Sequence, residues 1–131
     1  MKVNKLNNLL ELFFERYKLQ DKNSIFLTPL NNNQKSFTWE ETRNCILKLS
    51  KEISNINQKG DRCLLISENR PEWMISDLSI MLSGSITVPA YTTYVEKDYE
   101  YIINDCQPKV LIVSNQDQFF KIENILKNNT S

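Results

Sequence analysis

The stretch Glu68–Tyr94, ENRPEWMISDLSIMLSGSITVPAYTTY, decides how the chain is read. It runs turn, helix, glycine stop, strand and loop without a break. Pro71 suits a first helical position, where its missing N–H leaves no helix bond unmade. Met74, Leu78, Met81 and Leu82 recur at helical spacing as a core face, with Glu72, Ser76, Ser79 and Ser83 opposite. Gly84 can take the left-handed conformation that ends a helix, and Ile86-Thr87-Val88 then starts a strand. Just upstream, Cys63-Leu64-Leu65-Ile66 is apolar without alternation, as in a strand covered on both faces. Two such strands joined by one helix and short links form a parallel, right-handed crossover.

A strand-turn-helix unit often holds phosphate, but the turn Glu68-Asn69-Arg70 is poorly made for it. A phosphate loop needs glycines so that backbone amides can approach the anion. The chain has only Gly60 and Gly84, neither in this turn, so neither G-x-G-x-x-G nor G-x-x-x-x-G-K-[ST] occurs. Glu68 and Glu72 already bring negative charge to the helix N-terminus, and Pro71 removes an amide. Trp73 therefore reads as a packing anchor rather than a base-stacking platform.

Working outward, the same rhythm continues in both directions. Leu6, Leu9, Leu10, Phe13, Phe14 and Tyr17 make an amphipathic helix whose polar side carries Asn8, Glu11, Glu15 and Arg16. Its mixed charge favours docking on protein over lying on a membrane surface. Ile25-Phe26-Leu27 and Lys35-Ser36-Phe37-Thr38 pair as a hairpin across the Asn31-Asn32-Asn33 turn. Thr38-Trp39-Glu40-Glu41 is a capping box, opening a helix with Thr42, Ile46, Leu49, Ile53 and Ile56 as its buried stripe. Downstream, Tyr99, Ile102, Ile103 and Cys106 mark a helix closed near Pro108. Val110-Leu111-Ile112-Val113 is another bare strand, and Phe119, Ile122, Ile125 and Leu126 mark a last helix. The expected fold class is α/β, a doubly wound, mostly parallel sheet. Residues 1–131 form one unit, with the helix and hairpin start in 1–35 and the α/β layer in 36–131.

Composition narrows the chemistry. The 131 residues are 40% hydrophobic, enough for a real core. Sixteen Lys and Arg against sixteen Asp and Glu give zero net charge, and so no field to gather nucleic acid. With no histidine, neither a Ser-His-Asp relay nor a His-ligated metal can arise within the chain. Cys45, Cys63 and Cys106 stand singly in apolar surroundings, which fits a reducing compartment and small core residues rather than nucleophiles. No apolar run is long enough to cross a bilayer, and Glu11 interrupts the only early one, so a soluble, unexported protein is expected.

Several short blocks, in order and spacing, resemble the N-terminal part of an AMP-forming acyl-CoA synthetase of the long-chain fatty acid type. They are Gly60-Asp61-Arg62, Ser67-Glu68-Asn69-Arg70-Pro71-Glu72-Trp73 and Ile86-Thr87-Val88-Pro89-Ala90-Tyr91-Thr92-Thr93-Tyr94. Phe37-Thr38-Trp39, Tyr101-Ile102-Ile103-Asn104-Asp105-Cys106 and Lys109-Val110-Leu111-Ile112 extend the match over nearly the whole chain, weakest before Ser36.

The resemblance implies the opening subdomain of a longer ligase that forms an acyl-adenylate from fatty acid and ATP with Mg²⁺, then a thioester with CoA. The family's phosphate loop, adenine-stacking Tyr, ribose-holding Asp and C-terminal catalytic Lys all fall after Ser131. The expectation is therefore that this chain carries no catalytic, cofactor-binding or metal residue and is inactive alone, the missing remainder of the enzyme being its partner. The loops Tyr91-Thr92-Thr93-Tyr94 and Ser114-Asn115-Gln116, at the C-terminal ends of strands, are where the layer would face a ligand crevice. Two alternatives share the fold: a non-catalytic interaction module, and an adenylating module with an acceptor other than CoA. The resemblance also implies a cytoplasmic location, at the membrane periphery given fatty substrates.

Overall fold

The computed structural model describes residues 6–128. Helix α1, Leu9–Leu19, is followed by strands β1, Ile25–Leu27, and β2, Phe37–Thr38, and then helix α2, Trp39–Ile56. The α/β part continues with β3 Arg62–Ile66, α3 Pro71–Leu82, β4 Ile86–Ala90, α4 Glu96–Cys106, β5 Val110–Val113 and α5 Gln116–Asn128.

Strands β1 and β2 pair antiparallel, as the hairpin pattern predicted. The other three form a parallel sheet in the order β4-β3-β5, with Cys63 opposite both Thr87 and Val110, and Ile66 opposite both Ala90 and Val113. The first crossover thus runs from β3 to β4 through α3 and the second returns from β4 past β3 to β5 through α4, which places helices on both faces, the doubly wound arrangement.

Strand β3 is the centre of the core. Cys63 to Ile66 have no exposed surface, and alternate residues feed opposite layers. Cys63 and Leu65 pack with Ile53 of α2 and Ile80 of α3, while Leu64 and Ile66 pack with Tyr99 and Ile103 of α4 and Ile122 and Ile125 of α5. Each fully buried Leu or Ile contributes about 1.5–3 kcal/mol of transfer free energy. A third cluster joins Phe13 of α1, Phe37 of β2, Ile46 of α2, and Ile75 and Leu78 of α3, so the first helix and the hairpin form a layer behind α2 and α3.

Local signals act where the sequence put them. Thr38 Oγ1 accepts from Glu41 N at 3.0 Å, and Glu41 Oε2 accepts from Thr38 N at 3.1 Å, the reciprocal capping box. Pro71 is at the first turn of α3, and Gly84 follows its end at φ +81°. The amphipathic assignments fare less well. Asn8 caps α1 instead of lying on its face, and Leu6 precedes the helix. Leu9 and Ile56 are substantially exposed, because nothing among the described residues packs over those ends. On α5, Phe119 faces outward while Gln118 is buried.

The largest correction concerns α3. Its predicted solvent face is interior: Ser76 and Ser79 are buried along with Ile75, Leu78 and Ile80. The helix is wedged between the sheet and the α1–hairpin layer, so most of its circumference needs small or apolar groups. Ser79 Oγ donates to Ile75 O at 2.6 Å, which satisfies the hydroxyl within its own helix.

Two stability measurements check this packing. Ser79→Leu should lower stability by about 1–3 kcal/mol in denaturant unfolding through overpacking, while Ser79→Ala changes it by less than about 1 kcal/mol. A solvent-facing Ser79 would leave both variants at wild-type stability. Thr38→Ala should cost about 1 kcal/mol, and Thr38→Ser should recover most of it.

Candidate functional site

All three parallel strands point their C-terminal ends to one edge of the sheet, where an open α/β layer offers a ligand crevice. The loops meeting there are 67–70 after β3, 91–95 after β4 and 114–115 after β5. Both loops singled out in the sequence lie on this edge. Between the first two opens a crevice of about 460 Å³ lined by Ser67, Asn69, Trp73, Pro89, Ala90 and Tyr91. A smaller one, about 190 Å³, lies between the β3 and β5 ends and includes Ser67, Arg70, Ser76 and Ser114 in its walls.

The loop after β4 is held rigidly. Tyr99, fully buried on α4, donates its hydroxyl to Tyr91 O at 2.6 Å, and burial pushes its phenol pKa up. The Tyr94 ring packs edgewise between Tyr91 and Tyr99, at centroid distances of 5.4 and 5.9 Å. Lys121 of α5 donates to Thr92 O at 2.7 Å. Lys121, which anchors this loop, escaped the sequence reading because a polar residue on a helix gives no signal of what it reaches. Trp73 packs on the Leu65 and Ile80 cluster with its remaining surface in the crevice wall, so its anchoring role is met.

Electrostatically, acidic side chains mark the helix starts along this edge. Arg70, which precedes α3, donates Nε to Glu72 Oε2 at 2.8 Å, so its charge is spent within the chain. That guanidinium holds the Glu72 carboxyl below the usual range. Glu68 turns to the β5 loop, where Asn115 Nδ2 donates to it at 3.3 Å. The Ser114 hydroxyl makes no bond within ordinary limits, yet it lies close enough to be the main cause of the lowered Glu68 pKa. The start of α3 has no side-chain cap, whereas the starts of α4 and α5 carry side-chain bonds. Asp98 accepts from Val95 N at 3.1 Å ahead of α4, and Asn115 Oδ1 accepts from Gln118 N at 3.0 Å at α5. With Glu72, Glu96, Asp98 and Asp117 in first turns, each helix dipole is already matched by an acidic side chain.

The glycines lie at the other end of the sheet. Gly60 N donates to Gly84 O at 2.9 Å, joining the turns that enter β3 and β4, and both take positive φ. Their freedom therefore serves chain reversal on the edge away from the crevice. Burial raises the thiol pKa of Cys63 and Cys106, which disfavours thiolate chemistry at either. Among the described residues there is no group of three or more His, Cys, Asp or Glu placed to hold a metal. The arrangement can present a shaped, aromatic-walled surface, with Arg70 and Glu72 paired and Glu68, Asp98 and Lys121 bonded to uncharged groups of the chain.

Comparison with known proteins agrees with this architecture. The chain is 34% identical over 91 residues to the long chain acyl-CoA synthetase 3 of Arabidopsis thaliana, which covers 69% of this chain and 13% of that protein. It is 34% identical over 70 residues to the long-chain-fatty-acid–CoA ligase ACSBG1 of Rattus norvegicus, covering 53% of this chain and 10% of that one. In three dimensions it resembles the anthranilate CoA ligase AuaEII, solved with anthranoyl-AMP, at a TM-score of 0.83 and 23% identity over 98% of this chain and 24% of that chain. The N-terminal subdomain of NpsA from Klebsiella oxytoca superposes at 0.69, with 21% identity over 84% of this chain and 28% of that one. The chain spans only about a tenth of the length of these curated relatives. The AMP-binding enzyme family model matches residues 14–131, nearly the full length, and the chain belongs to that family.

Proposed function

We propose that residues 1–131 form the incomplete N-terminal AMP-binding-type unit of a long-chain fatty acid:CoA ligase, and that they supply scaffold rather than reacting groups. In the complete reaction a fatty carboxylate attacks the α-phosphorus of ATP with Mg²⁺, giving acyl-adenylate and pyrophosphate, and CoA thiol then displaces AMP. Such chemistry needs preorganised charge at phosphorus and exclusion of water from a mixed anhydride. This chain serves the second need, with a rigid wall built from Trp73, Tyr91 and Tyr94. The groups for the first, and the sites for ATP, Mg²⁺ and CoA, belong to the remainder of the protein. No residue here is assigned a catalytic, cofactor or metal role, and the working location is cytoplasmic, at the membrane periphery.

The observation that supports this reading best is the state of the sheet edge. Three helix N-termini converge there, yet each is matched by the chain's own carboxylates or amides, and Arg70 is paired to Glu72. Long-chain acids are preferred over other carboxylic acids in this reading on the support of the relatives, whose matches extend over 69% and 53% of the chain.

A graft tests it. Residues 14–131 would replace the equivalent segment of a long-chain acyl-CoA ligase, and ATP–pyrophosphate exchange would be followed with palmitate. The graft should exchange in a palmitate-dependent way, while the 131-residue chain alone should show no exchange. A graft that melts cooperatively but exchanges with no carboxylic acid would contradict the ligase reading. Exchange by the chain alone would contradict the scaffold role.

A further inference from the structure

The exposed side of α1 carries a feature that the scaffold role does not use. A groove of about 280 Å³ runs beside this helix, walled by Leu9, Leu12 and Phe13 of α1, Phe26 of β1, Trp39 of α2 and Met74 of α3. Its one charged wall residue is Arg16. Leu9, Leu12 or Phe13, and Arg16 follow one another at i, i+3 or i+4, and i+7, so the Arg16 backbone stands about 10 Å along the helix from that of Leu9, with its side chain in the groove wall. The acidic neighbour Glu15 is engaged with Lys18 at 2.8 Å, and Arg16 enters none of the ion pairs found among the described residues.

We propose that this groove binds a monomeric medium-chain fatty acid, its tail along Leu9, Leu12, Phe26 and Trp39 and its carboxylate on Arg16. The lining suits an unbranched hydrocarbon, and a dry cavity of roughly 150 Å³ with similar walls already accepts benzene. The unpaired cation at one end selects an anionic head over a neutral one, and a planar carboxylate matches the guanidinium fork. A bilayer is a poorer occupant, since Glu11 and Glu15 cancel Arg16 and Lys18 on α1 and leave no net attraction to anionic lipid. The binding does not depend on the ligase reading.

Trp39 gives a direct probe, because the only other tryptophan, Trp73, sits in the crevice on the opposite side of α3's packing. In a Trp73→Phe chain kept monomeric by light scattering, decanoate below its micelle concentration should shift Trp39 emission saturably. Arg16→Glu should weaken binding about tenfold or more, and Arg16→Lys by only about threefold. Decan-1-ol should bind about tenfold more weakly than decanoate. Calorimetry on the wild-type chain gives the same comparison if Trp73→Phe fails to fold. No saturable change, equal affinity for decan-1-ol, insensitivity to Arg16→Glu, or a response only to anionic vesicles would each overturn the proposal.

Discussion

The two-sided burial of β3 is the constraint on which the rest depends. Four consecutive side chains, Cys63 to Ile66, are fully enclosed, two by α2 and α3 and two by α4 and α5. A strand in that position can only be the middle of a parallel sheet, because both faces require helices and each helix must return to start a new strand alongside it. Its neighbours are then placed by register, Ile86–Ala90 on one side and Val110–Val113 on the other. The three C-terminal ends must fall on one edge, and so the loops after them must meet. The site is thus a consequence of the core.

What the edge does not do is equally physical. Converging helix starts attract anions unless their amides and dipoles are already engaged. Here Arg70 and Glu72 bond each other, Glu68 is held by the β5 loop, Asp98 accepts from Val95 N ahead of α4, and Asn115 caps α5. Tyr99, buried at the centre of the adjacent cluster, pins the loop that carries Tyr91. The result is a firm wall whose loop after β4 is pinned from α4 and α5.

Much of this was legible in the sequence where a single residue type has a single physical meaning. The unalternating run at Cys63–Ile66, the proline opening α3, the Thr38–Glu41 box and the glycine after α3 each appear as read. The hairpin was legible too, from two short apolar runs around an asparagine turn. Readings failed where burial depends on a third partner. Ser76 and Ser79 look like a wet face until Met74, Leu78, Met81 and Leu82 are seen to turn to the α1–hairpin layer, which leaves the serine side of α3 toward the sheet with Trp73 and Ile80, and Phe119 looks like core until α5 is seen to lean on Gln118, Ile122 and Ile125. The groove beside α1 was invisible for the same reason, being formed by four elements distant in sequence. Composition showed that the glycines were few; only the fold shows that both serve the edge opposite the crevice.

The central proposal is that acidic side chains in the first turns of the helices at the crevice, rather than a bound phosphate, match the helix dipoles there. Amide chemical shifts of the ¹⁵N-labelled 131-residue chain, followed while ATP with Mg²⁺ is added, test it most directly. The account predicts that the amides at 72–74, 97–99 and 116–118 stay unmoved to millimolar nucleotide. Saturable shifts confined to those amides would contradict it.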